Sequence, residues 1–344
     1  MKILYAIQGT GNGHMARAFE VIPELKKYGK VDILVSGIQT EINLPWSVKY
    51  RYYGLGFIFG KNGGVDFKST LLKSRLFKFL KEIMTVPVYK YDLVINDFEP
   101  VVAWACKLRG KRCIGISHQS AVLHPEAPKP IEKNTIGRLI LKYYAPVNHF
   151  HGFHFKNLGN HITTPVIRGD IRNAKTSNEG HYTVYLPSYS DDKIIAVLSQ
   201  IPFIKWEVFS KHNSTPVVIG NVSIQPVNKE QFTESFLSCT GILCNAGFES
   251  PAEALYMGKK LCVIPMKGQF EQQCNAAFLS SMGVRTINDF ETGLESINEW
   301  VFFDSAIAVD YPNNLAEVID DILFRYTPQY DSLPQLALSS QFKI

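Results

Sequence analysis

Short apolar runs alternate along the chain with stretches in which apolar residues recur three or four positions apart. The runs predict buried strands, and the helical spacing predicts helices. In the first half the predicted strands are residues 2–8, 31–36, 48–53, 92–96, 112–116 and 149–155. In the second half they are residues 182–186, 206–209, 216–219, 242–244 and 261–264. This alternation indicates parallel sheets with right-handed crossover connections.

Between the two series, residues 157–181 are polar, contain Gly and Pro, and show no sustained periodicity, which is typical of a linker. We therefore predict an N-terminal Rossmann-like domain over residues 1–157, a linker over 158–181 and a C-terminal Rossmann-like domain over 182–330. Ligands of open α/β sheets bind beyond the carboxyl ends of the strands. The predicted fold is α/β, with two facing Rossmann-like domains and an interdomain cleft.

Composition is that of an ordinary globular protein, with 344 residues of which 46% are hydrophobic and 19% are charged. No apolar run approaches the roughly 18 residues of a membrane span, and the apolar stretch after Met1 ends at Gln8, too early for a signal peptide. The six cysteines form no C-x-x-C pair, so they indicate neither a zinc site nor a disulfide framework. We expect a cytoplasmic protein.

The charged residues are unevenly distributed between the two halves of the chain. Residues 1–157 hold 23 Lys and Arg against 11 Asp and Glu, a net +12, whereas residues 158–344 hold 13 against 20, a net −7. Such asymmetry indicates that the basic half meets something anionic. Nucleic-acid binding is not indicated, because the basic residues are widely spread along the sequence and no recognised nucleic-acid-binding motif accompanies them.

The stretch GTGNGH at residues 9–14 joins the first predicted strand to a helix. Its loop residues Gly11, Asn12 and Gly13 suit a tight turn that leaves N–H groups facing a ligand. A P-loop would need Gly-Lys-Ser/Thr in place of Gly13-His14-Met15, and the alternating glycines do not match G-x-G-x-x-G. His14 at this cleft edge is a candidate general base, with a purely structural histidine as the other interpretation.

A second motif begins at Gly247 and precedes a helix. Ser250-Pro251-Ala252-Glu253 has the form of a capping box with proline at the first helical position. Gly247, however, leaves the helix N-terminus open to a diphosphate, and Glu253 could accept hydrogen bonds from ribose hydroxyls. Both interpretations remain open, and a capping box could open when a ligand binds.

The pairing of GTGNGH with NAGFESPAEAL and a later EQQCNA resembles the GT-B glycosyltransferases around the peptidoglycan lipid transferase MurG and the UDP-glucuronosyltransferase-like enzymes. The resemblance covers both predicted domains. It implies an inverting, metal-independent enzyme that moves a sugar from a nucleotide sugar, with UDP the expected nucleotide, to a hydroxyl acceptor. The donor would lie mainly on the C-terminal domain and the acceptor mainly on the N-terminal one, and no cofactor is expected.

The same resemblance implies residue roles. Gly247 and Ser250 would contact the diphosphate, Glu253 the ribose, and Glu271 with Gln272 the donor sugar, while His14 corresponds to the histidine usually taken as the base. Phe248 lies in this donor-binding stretch, where MurG has a small residue followed by an apolar one and this chain has Phe248-Glu249.

Two further residues follow predicted strands. Asp97 could orient His14 or help charge it, or else cap the helix that starts near Pro100. His118 is a candidate acceptor contact. The sequence has no D-x-D motif, so no ligands for a metal-bound diphosphate are indicated.

Other functions fit the same fold. A nucleotide-sugar hydrolase or epimerase would use the same donor with water or rearrange it, and an inactive binding protein would hold the donor without turnover. The donor sugar, the acceptor and the pathway are not encoded in any recognisable motif.

A basic amphipathic stretch at residues 69–86 suggests the acceptor. Its apolar stripe and its cations are at helical spacing, which is typical either of a crossover helix packed on the sheet or of a helix resting on an anionic membrane. The stripe consists of Leu72, Leu76, Phe79, Leu80 and Ile83, and the cations are Lys73, Arg75, Lys78 and Lys81. A nearby glycine-broken loop could present Phe57, Ile58 and Phe59 outward. The hypothesis is a lipid-linked or other anionic cell-envelope acceptor, reached by a peripheral protein at the cytoplasmic membrane face.

Overall fold

A computed structural model describes residues 1–10, 12–37, 44–55, 76–130, 134–159 and 161–327. Two sheets of seven strands each, flanked by helices, make up these residues. The first sheet has the strand order β3-β2-β1-β4-β5-β6-β7, and every pair in it is parallel. Its strands are β1 (Lys2–Gln8), β2 (Lys30–Ser36), β3 (Val48–Tyr52), β4 (Leu93–Asp97), β5 (Ile114–Ile116), β6 (His149–Phe153) and β7 (Ile162–Thr163).

The second sheet has the order β10-β11-β9-β8-β12-β13-β14 and is parallel except for the β10–β11 hairpin at one edge. Its strands are β8 (His181–Tyr185), β9 (Lys205–Ser210), β10 (Val217–Ile219), β11 (Val222–Pro226), β12 (Gly241–Asn245), β13 (Lys260–Ile264) and β14 (Arg285–Thr286). The predicted α/β class with two parallel sheets is confirmed.

The helices connect successive strands, as the alternating pattern predicts. A short 3₁₀ helix occupies Val88–Lys90. The α-helices are α1 (Asn12–Lys26), α2 (Leu76–Thr85), α3 (Pro100–Leu108), α4 (His118–Val122), α5 (Thr135–Tyr143), α6 (Gly169–Arg172), α7 (Asp191–Leu198), α8 (Lys229–Ser238), α9 (Glu249–Met257), α10 (Phe270–Ser281), α11 (Leu294–Phe303) and α12 (Leu315–Tyr326). No helix in these described ranges is long and apolar enough to cross a membrane.

The central strand β1 shows why a continuous apolar run predicts a buried strand. Its residues 3–7 are completely buried, as expected for a central strand of a parallel sheet that is covered on both faces. Helix α1 follows and buries Met15, Ala18, Ile22 and Leu25 against the sheet. Phe19 of this helix lines a cavity between the two halves of the chain.

The stretch between the sheets is more ordered than a linker pattern suggests. Strand β7 and helix α6 both lie within residues 158–181, and β7 pairs with β6 to extend the first sheet. Helix α12 packs against α1 of the first half, where the Tyr28 hydroxyl donates a hydrogen bond to Asp320. The C-terminal end of the described chain therefore contacts the N-terminal half.

Helix α2 buries only part of its apolar stripe, so it fits the interpretation as a crossover helix only in part. Phe79 and Ile83 are buried in the core beside α3, as a crossover helix requires. Leu76 and Leu80 are exposed, as is Phe77 with 91% of its surface. Leu72, Lys73, Arg75 and the aromatic loop with Phe57, Ile58 and Phe59 lie outside the described residues.

Candidate active site

The parallel arrangement of β1 and β4 brings His14 and Asp97 together. Asp97 is the last residue of β4 and pairs in register with Ile7 of β1, while His14 lies in the first turn of the helix that follows β1. His14 Nδ1 lies 2.7 Å from Asp97 Oδ1, and both side chains are buried. With Nδ1–H donating to this carboxylate, neutral His14 presents the lone pair of Nε2 on its other side.

The environment of His14 favours its protonated form. Burial lowers the pKa of His14, but the charge of Asp97 and its hydrogen bond raise it, and the net result lies above the usual 6.5. The ring therefore gains basicity from the carboxylate behind it, which is the arrangement that a general base needs.

Asp97 does not cap helix α3, so the alternative interpretation of this residue is wrong. The cap is Glu99, whose carboxylate accepts hydrogen bonds of 2.7 Å from the backbone N–H groups of both Val101 and Val102. Phe98, between the two acids, has a φ of +55°, a left-handed conformation that is uncommon outside glycine. The two acids on either side of it therefore serve different partners, and Asp97 is left to His14.

Two charged residues to which the sequence patterns assigned no role, Arg17 and Glu249, complete this cluster. Arg17 lies one turn after His14 on α1, and its Nη2 donates a 2.6 Å hydrogen bond to Oε1 of Glu249 on the C-terminal half. Its Nη1 lies 3.6 Å from Asp97 Oδ1 and has no hydrogen-bond partner among the described residues. Burial lowers the pKa of Arg17, but Asp97 and Glu249 raise it more, so the guanidinium stays charged. The spacing of three residues from His14 was the available sequence signal.

The carboxylate of Glu249 lies close against Gly13. A Cβ atom at Gly13 would lie 2.4 Å from Glu249 Oε2, so a side chain at this position would displace the carboxylate. The carboxylate thus rests against the first turn of α1, where the helix dipole favours negative charge. Asn12 and Gly13 line the larger cavity described below, whereas Gly11 lies outside the described residues.

A small cavity of about 110 Å³ between the halves contains His14. Its N-terminal wall includes Gln8, Phe98 and Tyr144, and its C-terminal wall is formed by residues 268–271. Gln119 bridges the two sides, because its Nε2 donates to Glu271 Oε2 at 3.0 Å and lies 3.4 Å from His14 Nε2. Burial raises the pKa of Glu271. The charge of His14 and the hydrogen bond from Gln119 lower it, but the net pKa lies above the usual value.

A larger cavity of about 420 Å³ lies beside the start of α9. Ser250 and Glu253 line it, together with Arg168. The capping-box interpretation is wrong, because α9 begins one residue before Ser250 and no side chain of the described residues caps it. Glu253 is instead held by Arg168, whose Nε and Nη2 donate to its two carboxylate oxygens at 2.6 and 2.8 Å. Gly247 borders open space within the described part of the chain, since a Cβ atom there would meet none of its atoms within 4 Å.

Three of the predicted site residues line neither cavity: Phe248, Gln272 and His118. The Phe248 ring is buried and stacks on His118 with centroids 3.8 Å apart, so any donor contact of this residue would come from its backbone. Gln272 accepts a 2.9 Å hydrogen bond from the backbone N–H of Met266, which leaves Glu271 as the side chain that faces the small cavity.

The prediction that His118 contacts the acceptor is corrected. Its ring is fully buried, with nitrogens 2.7 Å from the Phe153 carbonyl oxygen and 2.6 Å from Asn275 Oδ1. Burial lowers the pKa of His118 to about 4. His118 is therefore a neutral structural contact between the halves, and its neighbour Gln119 is the residue that reaches the cavity.

The sequence matches the family described as glycosyl transferase family 1 over residues 1–302. No curated protein matches it. Among solved structures it is similar to Arabidopsis thaliana UGT89C1 complexed with UDP, with 13% identity over 94% of each chain and a TM-score of 0.56. It is similar to MurG of Acinetobacter baumannii, with 15% identity, coverage of 94% of this chain and 99% of that one, and a TM-score of 0.54.

A third similar structure is the spinosyn rhamnosyltransferase SpnG complexed with thymidine diphosphate, with 12% identity, coverage of 95% and 96%, and a TM-score of 0.53. At these identities the likeness shows the fold alone. It confirms the predicted GT-B arrangement of two α/β domains.

Proposed function

The chain belongs to glycosyl transferase family 1 and is a glycosyltransferase, and we propose that it transfers a sugar from a UDP-sugar to a hydroxyl acceptor with inversion and without a metal. The observation that carries this proposal is the buried His14–Asp97 pair at the edge of an interdomain cavity, opposite Glu271. The UDP and thymidine diphosphate in two similar structures support a pyrimidine-nucleotide donor.

In the proposed reaction His14 Nε2 takes the proton of the acceptor hydroxyl. The acceptor oxygen then bonds to the anomeric carbon of the sugar from the face opposite the leaving group, and the bond from that carbon to the diphosphate oxygen breaks. Inversion follows from this single displacement. Asp97 stabilises the imidazolium that forms, and Glu271 and Gln119 are placed to accept and donate hydrogen bonds to sugar hydroxyls in the small cavity.

The departing diphosphate needs positive charge, and the protein can supply it. The uncapped N-terminus of α9 and the open space at Gly247 leave room for phosphate oxygens beside backbone N–H groups. Arg17 is charged, and its Nη1 lacks a hydrogen-bond partner in the described part of the chain. Transfer without a metal is consistent with this set of donors.

A donor and acceptor assay tests the proposal. A thermal-shift screen against nucleotide sugars identifies the donor, because a ligand that binds only the native state at 100 times its Kd stabilises it by about 2.7 kcal/mol. Nucleotide release is then measured with and without an acceptor panel. Release that depends on acceptor supports transfer, whereas stoichiometric release without acceptor or a rearranged sugar would show a hydrolase or an epimerase.

Glu253→Gln should weaken donor binding. The proposed contacts to ribose hydroxyls are charge-assisted, so loss of the charge should reduce donor affinity by about 1–2 kcal/mol. The substitution also weakens the pair with Arg168, so Tm is measured alongside the donor Kd. Glu234→Gln, an exposed change on α8, is the control that should alter neither. A lower Tm with an unchanged donor Kd would leave Glu253 a purely structural partner of Arg168.

Exposed apolar residues beside cations support an envelope acceptor. Phe77, Leu80 and Met84 of α2 are exposed, and Lys78 and Lys81 lie on the same helix. Helix α5 buries no residue and exposes further apolar side chains, although Ile140 and Leu141 of this helix line the small cavity. Exposed apolar residues with neighbouring cations can rest on an anionic bilayer, and α5 would place such a surface beside the small cavity. We propose a lipid-linked or other anionic envelope acceptor, with the protein peripheral at the cytoplasmic membrane face.

Vesicle sedimentation tests this surface. The protein should pellet with anionic vesicles at low salt, less at high salt, and not with neutral vesicles. Lys81→Gln should reduce binding about fivefold, since each well-placed cation contributes about 1 kcal/mol. Phe77→Ser should also reduce binding, and Phe203→Ser, at an equally exposed position of the second half, should not. Absence of pelleting under all conditions would favour a soluble acceptor.

A further inference from the structure

We propose that His151, His161 and Asp321 bind a divalent metal of the zinc type and thereby tie helix α12 to the edge of the first sheet. One ligand atom from each of the three side chains lies within 4.8 Å of the other two. Two imidazoles and one carboxylate form a ligand set that zinc commonly takes, with water in the fourth position. None of the three residues lines either cavity of the candidate active site.

His151 supplies the fixed point of this site. It lies on β6, is buried, and has its Nε2 3.1 Å from the hydroxyl oxygen of Thr163 on the neighbouring strand β7. Its Nδ1 is equally buried and has no hydrogen-bond partner within the part of the chain that the structure describes. A buried polar atom without a partner is costly, and coordination would satisfy it. With Nε2–H donating to Thr163, Nδ1 carries the lone pair that a metal needs.

His161, whose ring centroid lies 6.2 Å from that of His151, has an uncommon backbone conformation. Its φ is +70°, in the turn between β6 and β7, and its carbonyl accepts a 2.7 Å hydrogen bond from the Gly152 N–H. A non-glycine residue in this region is often under functional constraint. The conformation leaves His161 Nδ1 3.8 Å from Asp321 Oδ2, too far for a hydrogen bond and at the limit of an ion pair.

Asp321 contributes an oxygen from α12. Its Oδ1 accepts a 2.7 Å hydrogen bond from Arg325 Nε one turn later, which leaves Oδ2 on the side of the histidines. In a tetrahedral zinc site with bonds of about 2.0–2.1 Å, ligand atoms lie roughly 3.4 Å apart. The side chains of His161 and Asp321 are 39% and 35% exposed, so they can move closer to the buried His151 and shorten the separations from at most 4.8 Å to roughly 3.4 Å.

Binding is tested on the full chain after removal of any affinity tag and treatment with a chelator. Zinc titrated calorimetrically should bind at one equivalent, and Co²⁺ should give the visible absorption of a tetrahedral site. His161→Gly removes a ligand at a backbone conformation that suits glycine, so it should fold normally and bind zinc at least tenfold more weakly. Thr163→Val removes the hydroxyl that orients His151. It should lower the zinc affinity 10- to 100-fold, as is typical when a hydrogen-bond partner of a metal ligand is lost.

The controls separate this site from adventitious binding. His212→Ala, at an exposed histidine of the second half, should bind zinc as the unmodified protein does. Zinc should also slow amide hydrogen exchange over residues 315–326 in the unmodified protein and not in His161→Gly. Unchanged zinc affinity in His161→Gly, or no zinc binding at one equivalent in the unmodified protein, would overturn the proposal.

Discussion

We expect His14→Ala to lower kcat by roughly 10²- to 10⁴-fold, the range for loss of a general base, while the donor Kd changes little. His14 lies in the small cavity with its Nδ1 committed to Asp97, so its proposed contribution is to the proton of the acceptor and not to the donor. Steady-state kinetics with the identified donor and acceptor give kcat, and calorimetry gives the donor Kd.

His124→Ala is the matched control. This histidine belongs to the same half of the chain and lies outside the small cavity, so its removal should leave kcat within a few-fold. A near-normal kcat for His14→Ala would assign the base to another residue, and Glu271 on the facing wall would be the next to test. A large rise in donor Kd with unchanged kcat would place His14 in donor binding instead.

Most of the strands that sequence patterns identify are buried on both faces, which requires a continuous apolar run, as in β1, β4 and β12. All eleven predicted strands exist within a few residues of their expected bounds. The missed strands β7 and β14 have two residues each and lie at sheet edges, where one neighbour is absent and apolar runs are not required. The third missed strand, β11, has a neighbour on each side, but its buried positions are interrupted by half-buried ones. Strand β11 did leave a signal, since Gly220-Asn221 between β10 and β11 is a two-residue hairpin turn with φ of +60° at Gly220.

The contacts within the candidate active site were harder to foresee, because most of them join residues far apart along the chain. Glu253 and Arg168 are 85 residues apart, and Arg17 and Glu249 are 232 apart. A local pattern at Ser250 therefore predicted a capping box, although the tertiary partner Arg168 takes the Glu253 carboxylate. Residue types at strand ends sufficed to find His14 and Asp97, since the carboxyl ends of adjacent parallel strands lie together.

The two roles considered for Asp97 show that a local pattern can also be ambiguous between residues that are close in the sequence. Asp97 and Glu99 both precede Pro100, and either spacing permits a cap. The left-handed Phe98 between them separates their side chains, and no residue preference would have indicated a phenylalanine in that conformation. Glu99 caps α3, whereas Asp97 contacts His14. Substitution of Asp97 should therefore affect the rate of the proposed reaction more than the stability of α3.

Asp97→Asn should lower kcat by about 10²-fold or more, given that the Asp-to-Asn change in a Ser-His-Asp triad costs about 10⁴. It should also move the acidic limb of the kcat/KM profile to lower pH. Asp97 raises the pKa of His14, a base must be unprotonated, and activity is lost as pH falls through that pKa; without the carboxylate the pKa falls. Asp92→Asn, an exposed change just before β4, should alter neither quantity. An acidic limb that stays in place, with kcat unchanged, would mean that Asp97 does not tune the base.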